Sequence, residues 1–437
     1  MQDLLSRLGT LDAKIDSLPL EQIARDTGFT KRSARKAGAR QWLRAICLLS
    51  VLPTRSFRAF GWLLGLIEGD SHSKQNVGKR MTSSFNRFLQ EILERLAARL
   101  VGPNVRVDPA LKAFNRVIVQ DSTVIGLPSH LADSFPGASN QTGKAISGMR
   151  VQAFFDLLSE RCLGFSIGPF TRNDQKASGD ILQVARPGDL VLRDRGYSSL
   201  RIFAGMREAG IDFISRLKYG THLFDKTGAP FDLLAELQRF GKVDIEVYVG
   251  AAAKVPVRLV AVPVPEAVAA ERRRKARANR DRRTNPSAEH MRLLGWTILV
   301  TTVPAEQLSP DDLAGIYGLR WRIETLFKAW KSCFRIGKIP SYASAPFAAA
   351  LVLAGLLYVA VFQCLFQRLQ RQEPANQQSL SPLKLASLIE NLASIELQSI
   401  IQKLPDDRLI NLTLYHCRYD RRKRKHYYQI LADLSLG

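Results

Sequence analysis

The spacing of apolar and polar positions predicts which parts of the chain form strands and which form helices. Five short runs rich in Val, Ile and Leu predict buried strands, and two segments of helical spacing lie between the later runs. The strands are expected at 117–125, 151–156, 161–167, 190–194 and 213–217, and the helices at 181–185 and 200–208. Three strands therefore precede a helix, a strand, a helix and a strand.

A strongly amphipathic segment begins at Tyr317. At about 100° per residue its apolar positions form one stripe, which predicts a buried face. An adjoining stripe sets a single carboxylate among cations and a tyrosine. The apolar stripe is Ile323, Leu326, Phe327, Trp330 and Phe334, and the polar stripe is Tyr317, Arg320, Glu324, Lys328 and Lys331. The polar stripe is either an ordinary ladder of i,i+4 charge pairs or a site whose cations bind phosphate.

Two aspartates lie in predicted strands, where an ionised carboxylate needs a partner or a metal. Asp121 is in the middle of the first strand, and Asp194 ends the fourth, just before a turn at Gly196. Taken alone, either could be a structural ion pair or a turn former. With Glu324 they form a set of three carboxylates from two strands and a helix, and a few carboxylates plus phosphate oxygens suffice to bind Mg²⁺.

Four of these positions carry a resemblance to a known family. Tyr317, Arg320, Glu324 and Lys331 have the spacing found in the insertion-sequence-four family of bacterial transposases. The sequence DRGY at 194–197 and the segment LLGWTILVTTVP at 293–304 are similar to the family's sequences around the second aspartate and before the glutamate helix. The similarity runs from about residue 105 to 370, and the order Asp, Asp, Glu resembles the triad of DDE transposases.

The element order and the resemblance together predict an α/β protein with a ribonuclease-H-like catalytic core, interrupted by a β-strand insertion and flanked by helical regions. Glu324 lies 130 positions after Asp194, too far for a simple connection, so a folded insertion is expected between them. The predicted parts are a helical DNA-end-binding domain (1–104), the first part of the core (105–217), the β insertion (218–304), the second part of the core (305–371) and a helical basic C-terminal region (372–437).

The resemblance also implies an activity, namely cut-and-paste transposition. The transposon ends would be bound, cleaved by two-metal phosphodiester hydrolysis and transesterification, and joined through their 3′ ends to target DNA. Asp121, Asp194 and Glu324 would be the catalytic residues and the ligands of Mg²⁺, with Mn²⁺ expected to substitute. The partners would be the inverted repeats at the transposon ends, target DNA and a second copy of the chain in a synaptic complex.

Contacts with DNA are implied for several other residues. Tyr317, Arg320 and Lys331 are carried over from the family motif, Lys328 lies on the same polar stripe, and Arg195 is in the DRGY sequence. Trp296 matches a tryptophan that, in a member of the family, stacks on a base flipped out of the duplex as the DNA end forms a hairpin. The alternative for Trp296 is ordinary packing of its strand.

The charge of the chain agrees with a polyanionic partner. Lys and Arg total 63 against 40 Asp and Glu, a net charge of +23. Basic runs at 25–44, 271–283 and 418–425 could follow phosphates or could be solvated segments. A predicted helix from Ser73 onward could be the second helix of a helix-turn-helix, with Lys79 and Arg80 facing DNA, or an ordinary surface helix.

The cysteine content predicts a cytoplasmic protein, and the resemblance implies that it is bacterial and associated with the nucleoid. Five scattered cysteines have no zinc-site spacing and fit a reducing compartment. The charged start of the chain does not predict a cleaved signal peptide. The apolar run from Phe347 to Phe366 has the length of a membrane span, but its alanines favour a helix buried in a core, and no membrane partner is expected.

The rival functions are a metal-dependent nuclease of the same fold that only hydrolyses DNA, and a catalytically inactive DNA-binding relative.

Overall fold

The N-terminal region consists of helices packed around aromatic side chains. A computed structural model of the protein describes residues 17–31, 37–99, 109–138, 145–252, 254–278, 285–372 and 380–391, with isolated positions at 411, 413–414, 417–418 and 429. In this region the described helices are α1 (Leu20–Asp26), α2 (Ala39–Val51), α3 (Phe57–Glu68), α4 (Lys74–Arg80) and α5 (Ser83–Arg99). Trp42, Phe60, Phe85 and Phe88 are fully buried among them, and burial of such large rings is a main source of stability.

Helix α4 begins where the sequence predicts. The Ser73 hydroxyl accepts a hydrogen bond from the backbone N–H of Asn76 at 3.2 Å, which is the geometry of an N-cap. The helix ends at Arg80, and α5 begins at Ser83. The helix expected to run on from Ser73 is therefore two helices, and the first has only seven residues.

The strands around the two aspartates form the ribonuclease-H-like arrangement that the sequence predicts. They are β1 (Val117–Leu127), β2 (Ser147–Asp156), β3 (Arg161–Pro169), β4 (Leu190–Arg193) and β5 (Asp212–Arg216), with helices α6 (Ile181–Val184) and α7 (Leu200–Glu208) connecting the last three. Strands β1, β2 and β3 pair antiparallel, whereas β1, β4 and β5 pair parallel. The expected order of elements is confirmed.

The insertion extends this sheet and does not build a separate one. Its elements are β6 (Leu223–Phe224), α8 (Leu233–Phe240), β7 (Val243–Val249), β8 (Val255–Pro263), α9 (Glu266–Arg277), α10 (Ala288–Leu293) and β9 (Trp296–Thr301). Strand β9 pairs antiparallel with both β5 and β8. Over the described residues the sheet therefore has nine strands in the order β3-β2-β1-β4-β5-β9-β8-β7-β6.

The amphipathic segment at Tyr317 is two helices, which corrects the prediction of one. Helix α11 (Pro310–Gly318) ends just after Tyr317, and α12 (Trp321–Ser332) carries Glu324. Between them the backbone N–H of Arg320 bonds to the carbonyl of Tyr317 at 3.2 Å, a tighter i→i+3 turn. The predicted apolar face is correct, because Ile323, Leu326, Phe327, Trp330 and Phe334 are all buried.

The long apolar segment forms a central helix of the protein. Helix α13 (Ala345–Gln372) packs against α2 and α5, and helix α14 (Pro382–Asn391) follows it. Within the described residues, 345–367 is the one stretch long and apolar enough to cross a membrane, and 78% of its apolar window is buried inside the protein. That burial is what the sequence predicts for a core helix.

Candidate active site

The pairing of two parallel strands sets the positions of the two predicted aspartates. Gln120 on β1 is in register with Arg193 on β4, so the next residues, Asp121 and Asp194, lie at the same end of neighbouring strands. The carboxyl ends of parallel strands are where α/β sheets place their sites. Glu324 reaches the same place from α12, which packs against β1.

The three carboxylates surround one guanidinium group. Arg320 places Nη1 3.5 Å from Oδ2 of Asp121, and Nη2 3.3 Å from Oε1 of Glu324 and 3.9 Å from Oδ1 of Asp194. The Arg320 side chain is only 8% exposed. Its Nε has no hydrogen-bond partner among the described residues, so one donor of this buried group remains available.

In this cluster three carboxylates surround the Arg320 guanidinium, and a second guanidinium, that of Arg216, is close enough to Asp194 to interact with it electrostatically. Burial raises the pKa of Asp121 from 3.8 to about 6; the Ser122 backbone N–H and Arg320 oppose this shift, and Glu324 and Asp194 add to it. No three Asp, Glu, His or Cys side chains in the described ranges are arranged to hold a single ion. The donors are nevertheless all oxygen and carry excess negative charge, which suits hard divalent cations.

The other motif residues divide into buried and exposed groups. Tyr317 is buried, and its hydroxyl finds no hydrogen-bond acceptor or donor in the part of the chain described. Burial raises the pKa of Tyr317 to about 12, although Arg320 acts in the opposite direction, so the hydroxyl keeps its proton at neutral pH. Lys328 and Lys331 are exposed on α12. The predicted stripe therefore has a buried tyrosine and arginine next to two lysines in solvent.

Known proteins match the chain over the same region. The family profile described as "Transposase DDE domain" matches residues 112–360, a span that contains all three carboxylates. The chain belongs to the DDE transposase family. The transposase for insertion sequence element IS231C of Bacillus thuringiensis subsp. berliner is 30% identical over 341 residues, covering 72% of this chain and 70% of that protein.

Two further relatives extend the match along the chain. The transposase for IS231E of Bacillus thuringiensis subsp. finitimus is 26% identical over 435 residues, covering 94% of this DDE transposase and 90% of the relative. The transposase for IS1151 of Clostridium perfringens is 22% identical over 76% and 74% of the two chains. Among solved structures, a piggyBac transposase synaptic complex with hairpin DNA aligns with a TM-score of 0.43 and 8% identity, covering 93% of this chain and 83% of that one. The predicted family, a DDE transposase, is confirmed by the profile and the IS231C relative.

A cavity of this DDE transposase joins Arg195 to Trp296 and is lined by side chains of both charges, with Asp232 and Glu289 among them. Its volume is about 510 Å³, and Arg195 and Trp296 both line it. The Trp296 indole N–H donates to the Gly241 carbonyl at 2.7 Å, so the ring is anchored while it faces the cavity. The other lining side chains include Arg216, Lys218 and the stacked rings of Tyr219 and His290, whose centres are 4.4 Å apart.

The two residues expected on the DNA face of the N-terminal region point in different directions. Lys79 is exposed. The guanidinium of Arg80 instead lies 4.7 Å from the ring centre of Phe29 and 4.9 Å from that of Trp42. Cation–π packing of this kind holds Arg80 against the helical core, so the expectation that Arg80 faces outward is corrected.

The basic run at 271–283 is partly structural. Residues up to Arg277 form the end of helix α9. Arg272 donates to the Trp296 carbonyl at 3.0 Å and to the Thr297 hydroxyl at 3.1 Å, which fixes α9 to β9. Residues 279–283, 32–36 in the run at 25–44, and 419–425 in the run at 418–425 lie outside the described residues.

A polar cluster beside the candidate active site of the transposase has no signal in the sequence. Asp174 accepts hydrogen bonds from the Ser122 hydroxyl at 2.6 Å and from Arg150 at 3.0 Å. In the sequence, Asp174 stands in the polar stretch TRNDQ after a strand, which is typical of an ordinary turn. Its partners lie 52 and 24 positions away, so no local pattern could have identified it.

Proposed function

We propose that this DDE transposase moves DNA by a cut-and-paste route: it binds the ends of its element, cleaves them, and joins the 3′ ends to a target. The observation that carries the proposal is the convergence of Asp121, Asp194 and Glu324 on Arg320. The relatives cited above, which are named as transposases of insertion sequence elements, support the same reading.

The roles of the carboxylates follow from their chemistry. Asp121, Asp194 and Glu324 would hold Mg²⁺, or Mn²⁺ in its place. When bound, these ions supply activation of the attacking water or 3′-hydroxyl and neutralise charge on the scissile phosphate. Asp121 must be ionised to act as a ligand, and its carboxylate already accepts the Ser122 backbone N–H at 2.7 Å, which orients it.

The donors near the triad would orient the phosphate. The Tyr317 hydroxyl and Nε of Arg320 are buried polar groups without a partner in the described part of the protein, and leaving a buried donor unpaired costs about 1–3 kcal/mol. A phosphate oxygen beside either group would accept its hydrogen bond. Lys328 and Lys331, which are exposed on the same helix, would contact phosphates farther along the DNA.

The test separates DNA binding from cleavage. We expect Asp121→Ala, Asp194→Ala and Glu324→Ala each to abolish Mg²⁺-dependent nicking of a labelled transposon end, with gel-shift affinity nearly unchanged because affinity comes mainly from Lys and Arg. The control is Asp311→Ala, which removes an exposed carboxylate of α11. If a triad variant still nicks at more than a few per cent of the wild-type rate, the substituted residue is not one of the catalytic carboxylates.

The alternatives predict different products. A nuclease that only hydrolyses would nick but would fail to join a precleaved 3′-hydroxyl end to a target plasmid. An inactive DNA-binding relative would do neither in Mg²⁺ or Mn²⁺. We expect strand transfer, carried out by a dimer with two ends, and sedimentation of the protein with end DNA would measure that stoichiometry.

Trp296 would provide a stacking surface for an unpaired base as the second strand is cut. Its position in a cavity that also holds Arg195, Arg216 and Lys218 supports this role, and an aromatic platform is worth about 1–3 kcal/mol per base. We expect Trp296→Ala to nick normally but to lose the hairpin product. Trp296→Phe keeps a ring but loses the N–H donor to Gly241, so retention of hairpin formation in that variant would assign the role to stacking. Equal loss of both steps in both variants would make the residue structural.

A further inference from the structure

A fourth carboxylate, Asp174, lies between the residues that follow the two strand aspartates. It is in the loop after β3, and its side chain is 29% exposed. Oδ1 accepts hydrogen bonds from the Ser122 hydroxyl at 2.6 Å, from Nη1 of Arg150 at 3.0 Å and from Nε2 of Gln152 at 3.5 Å. Arg150 also donates to the Ser122 hydroxyl at 2.8 Å, so these groups form a closed network.

One side of this network reaches Asp121. Ser122 is the next residue on β1, and its backbone N–H donates to Oδ1 of Asp121 at 2.7 Å. The Ser122 hydroxyl is held by Asp174. Asp174 therefore fixes Ser122, the residue whose backbone N–H orients Asp121. Among the described residues, Asp174 forms no hydrogen bond with the Asp121 carboxylate itself.

The other side of the network reaches the turn after Asp194. A Cβ atom placed on Gly196 would lie 3.1 Å from Oδ2 of Asp174 and 3.3 Å from its Cβ, so the turn packs directly on this carboxylate. Next to Gly196, the Tyr197 hydroxyl donates to Oε1 of Gln152 at 2.6 Å. The same loop residue thus contacts the chain beside each strand aspartate.

Two nearby carboxylates show what a purely structural role looks like here. Asp156 is buried at the far end of β2, where it accepts the backbone N–H of Val117 and of Leu158. Asp180 pairs with Arg172 through two hydrogen bonds of 2.6 and 2.8 Å. In the described part of the chain, neither forms a hydrogen bond with a residue adjacent to Asp121 or Asp194. Of the three carboxylates, only Asp174 contacts residues close to both of these aspartates.

We propose that Asp174 is a positioning residue of the active site. Through Ser122 and through the turn at Gly196 it fixes the separation of Asp121 and Asp194, and so it sets the affinity of the site for divalent metal. The inference rests on the proposed function, since it assumes that these aspartates hold metal. Groups that orient metal ligands in this way typically change metal affinity about 10–100-fold when removed.

The experiment measures Mn²⁺ binding directly, by electron paramagnetic resonance of the free ion in titrations of the full chain bound to end DNA. We expect Asp174→Ala to weaken Mn²⁺ binding about 10–100-fold, and Asp174→Asn, which keeps an oxygen acceptor for Ser122, to weaken it less. Ser122→Ala should act in the same direction as Asp174→Ala. The matched control is Asp180→Ala, which should leave Mn²⁺ binding unchanged.

The outcomes are distinguishable from failure of the proposed function. If Asp121→Asn binds Mn²⁺ as tightly as the wild type, the aspartates do not hold metal and both proposals fail. If Asp121→Asn loses binding but Asp174→Ala and Ser122→Ala do not, only the positioning role is overturned. An equal loss in Asp180→Ala would also overturn it, because the loss would then reflect a loosened loop. Should Asp174→Ala fail to fold in thermal unfolding, Ser122→Ala and Asp174→Asn decide the question.

Discussion

Helix α12 and the turn before it carry two arginines, two residues apart, in opposite kinds of surroundings. Arg322 places Nη2 2.6 Å from Oε1 of Glu160, and the two side chains are only 3% and 2% exposed. Arg320 is also buried, but its guanidinium is shared among three carboxylates at 3.3 to 3.9 Å. One arginine has a close partner, and the other has three distant ones.

The difference separates a structural ion pair from a site. A short, fully buried pair places opposite charges in direct contact. Longer contacts to partly exposed carboxylates leave negative charge unbalanced and can be exchanged for other cations. We expect removal of Arg322 to destabilise the fold, and removal of Arg320 to leave the three carboxylates free to bind metal.

The largest expected effect is on the structural pair. Arg322→Met or Glu160→Gln removes this close ion-pair contact from a buried charge, which should lower the free energy of unfolding by about 3–5 kcal/mol. Urea unfolding followed by circular dichroism measures this. The double variant Arg322→Met with Glu160→Leu should recover most of the loss, since a buried pair is often replaceable by apolar groups. A loss below about 1 kcal/mol in both single variants would contradict the structural assignment.

A smaller effect of the opposite sign is expected at Asp121. Because burial raises the pKa of Asp121 to about 6, its charged form is disfavoured in the fold. The stability that this group contributes is present below about pH 4, is lost as the pH rises to about 6, and is absent above that. Metal-free Asp121→Asn should therefore be more stable than the wild type at pH 7.5, by roughly 1–3 kcal/mol. Thermal unfolding of both proteins from pH 4 to 8 measures the stability difference and the pH range over which it develops. If Asp121→Asn is less stable than the wild type at pH 7.5, the charged form of Asp121 is not disfavoured in the fold.

The exchange of Arg320 for metal should appear as a shift in melting temperature. The guanidinium and Mg²⁺ compete for the same carboxylates, so Arg320→Gln should bind Mg²⁺ more tightly without DNA. At saturating Mg²⁺ we expect its melting temperature to rise by about 1–2 °C more than that of the wild type. Lys331→Gln removes an exposed cation of the same helix and serves as the control. Equal shifts in all three proteins would argue against competition.

The smallest effect is expected at Lys328, a cation on the exposed side of α12. Lys328→Gln should leave stability unchanged and reduce the slope of log affinity against log salt by about 1, the signature of one lost phosphate contact. Lys226→Gln is the control, because Lys226 is exposed and paired with Glu246 on β7. An unchanged slope would place Lys328 outside the DNA interface.

The sequence predicted the parts that repeat a local pattern or a family spacing. The strands around Asp121 and Asp194 and the apolar face of α12 were available from residue types and their order. The family spacing predicted the three carboxylates, and the structure brings them together around Arg320. The break between α11 and α12 was not, because the turn at Arg320 keeps helical dihedral angles and leaves the periodicity intact.

What the sequence could not supply were partners far along the chain. Arg80 and Arg272 are basic residues in basic surroundings, and only the tertiary structure shows that one lies on aromatic rings and the other on the backbone of β9. Asp174 is a similar case, since its role depends on strands that precede it by 24 and 52 positions. From the sequence alone, the charge of the two arginines and the turn-like residues around Asp174 predict that all three side chains are exposed to solvent.

The pairing of β9 with β5 determines what kind of protein a gene copy with an internal deletion would produce. Residues Phe213 and Ile214 of β5 are fully buried, and β9 covers the edge of the strand that holds them. An internal deletion that removed 218–304 would leave this edge unpaired and ready to associate with other chains. We expect such shortened copies to aggregate instead of persisting as soluble competitors for the element's ends, so a truncated copy would not silence an intact one.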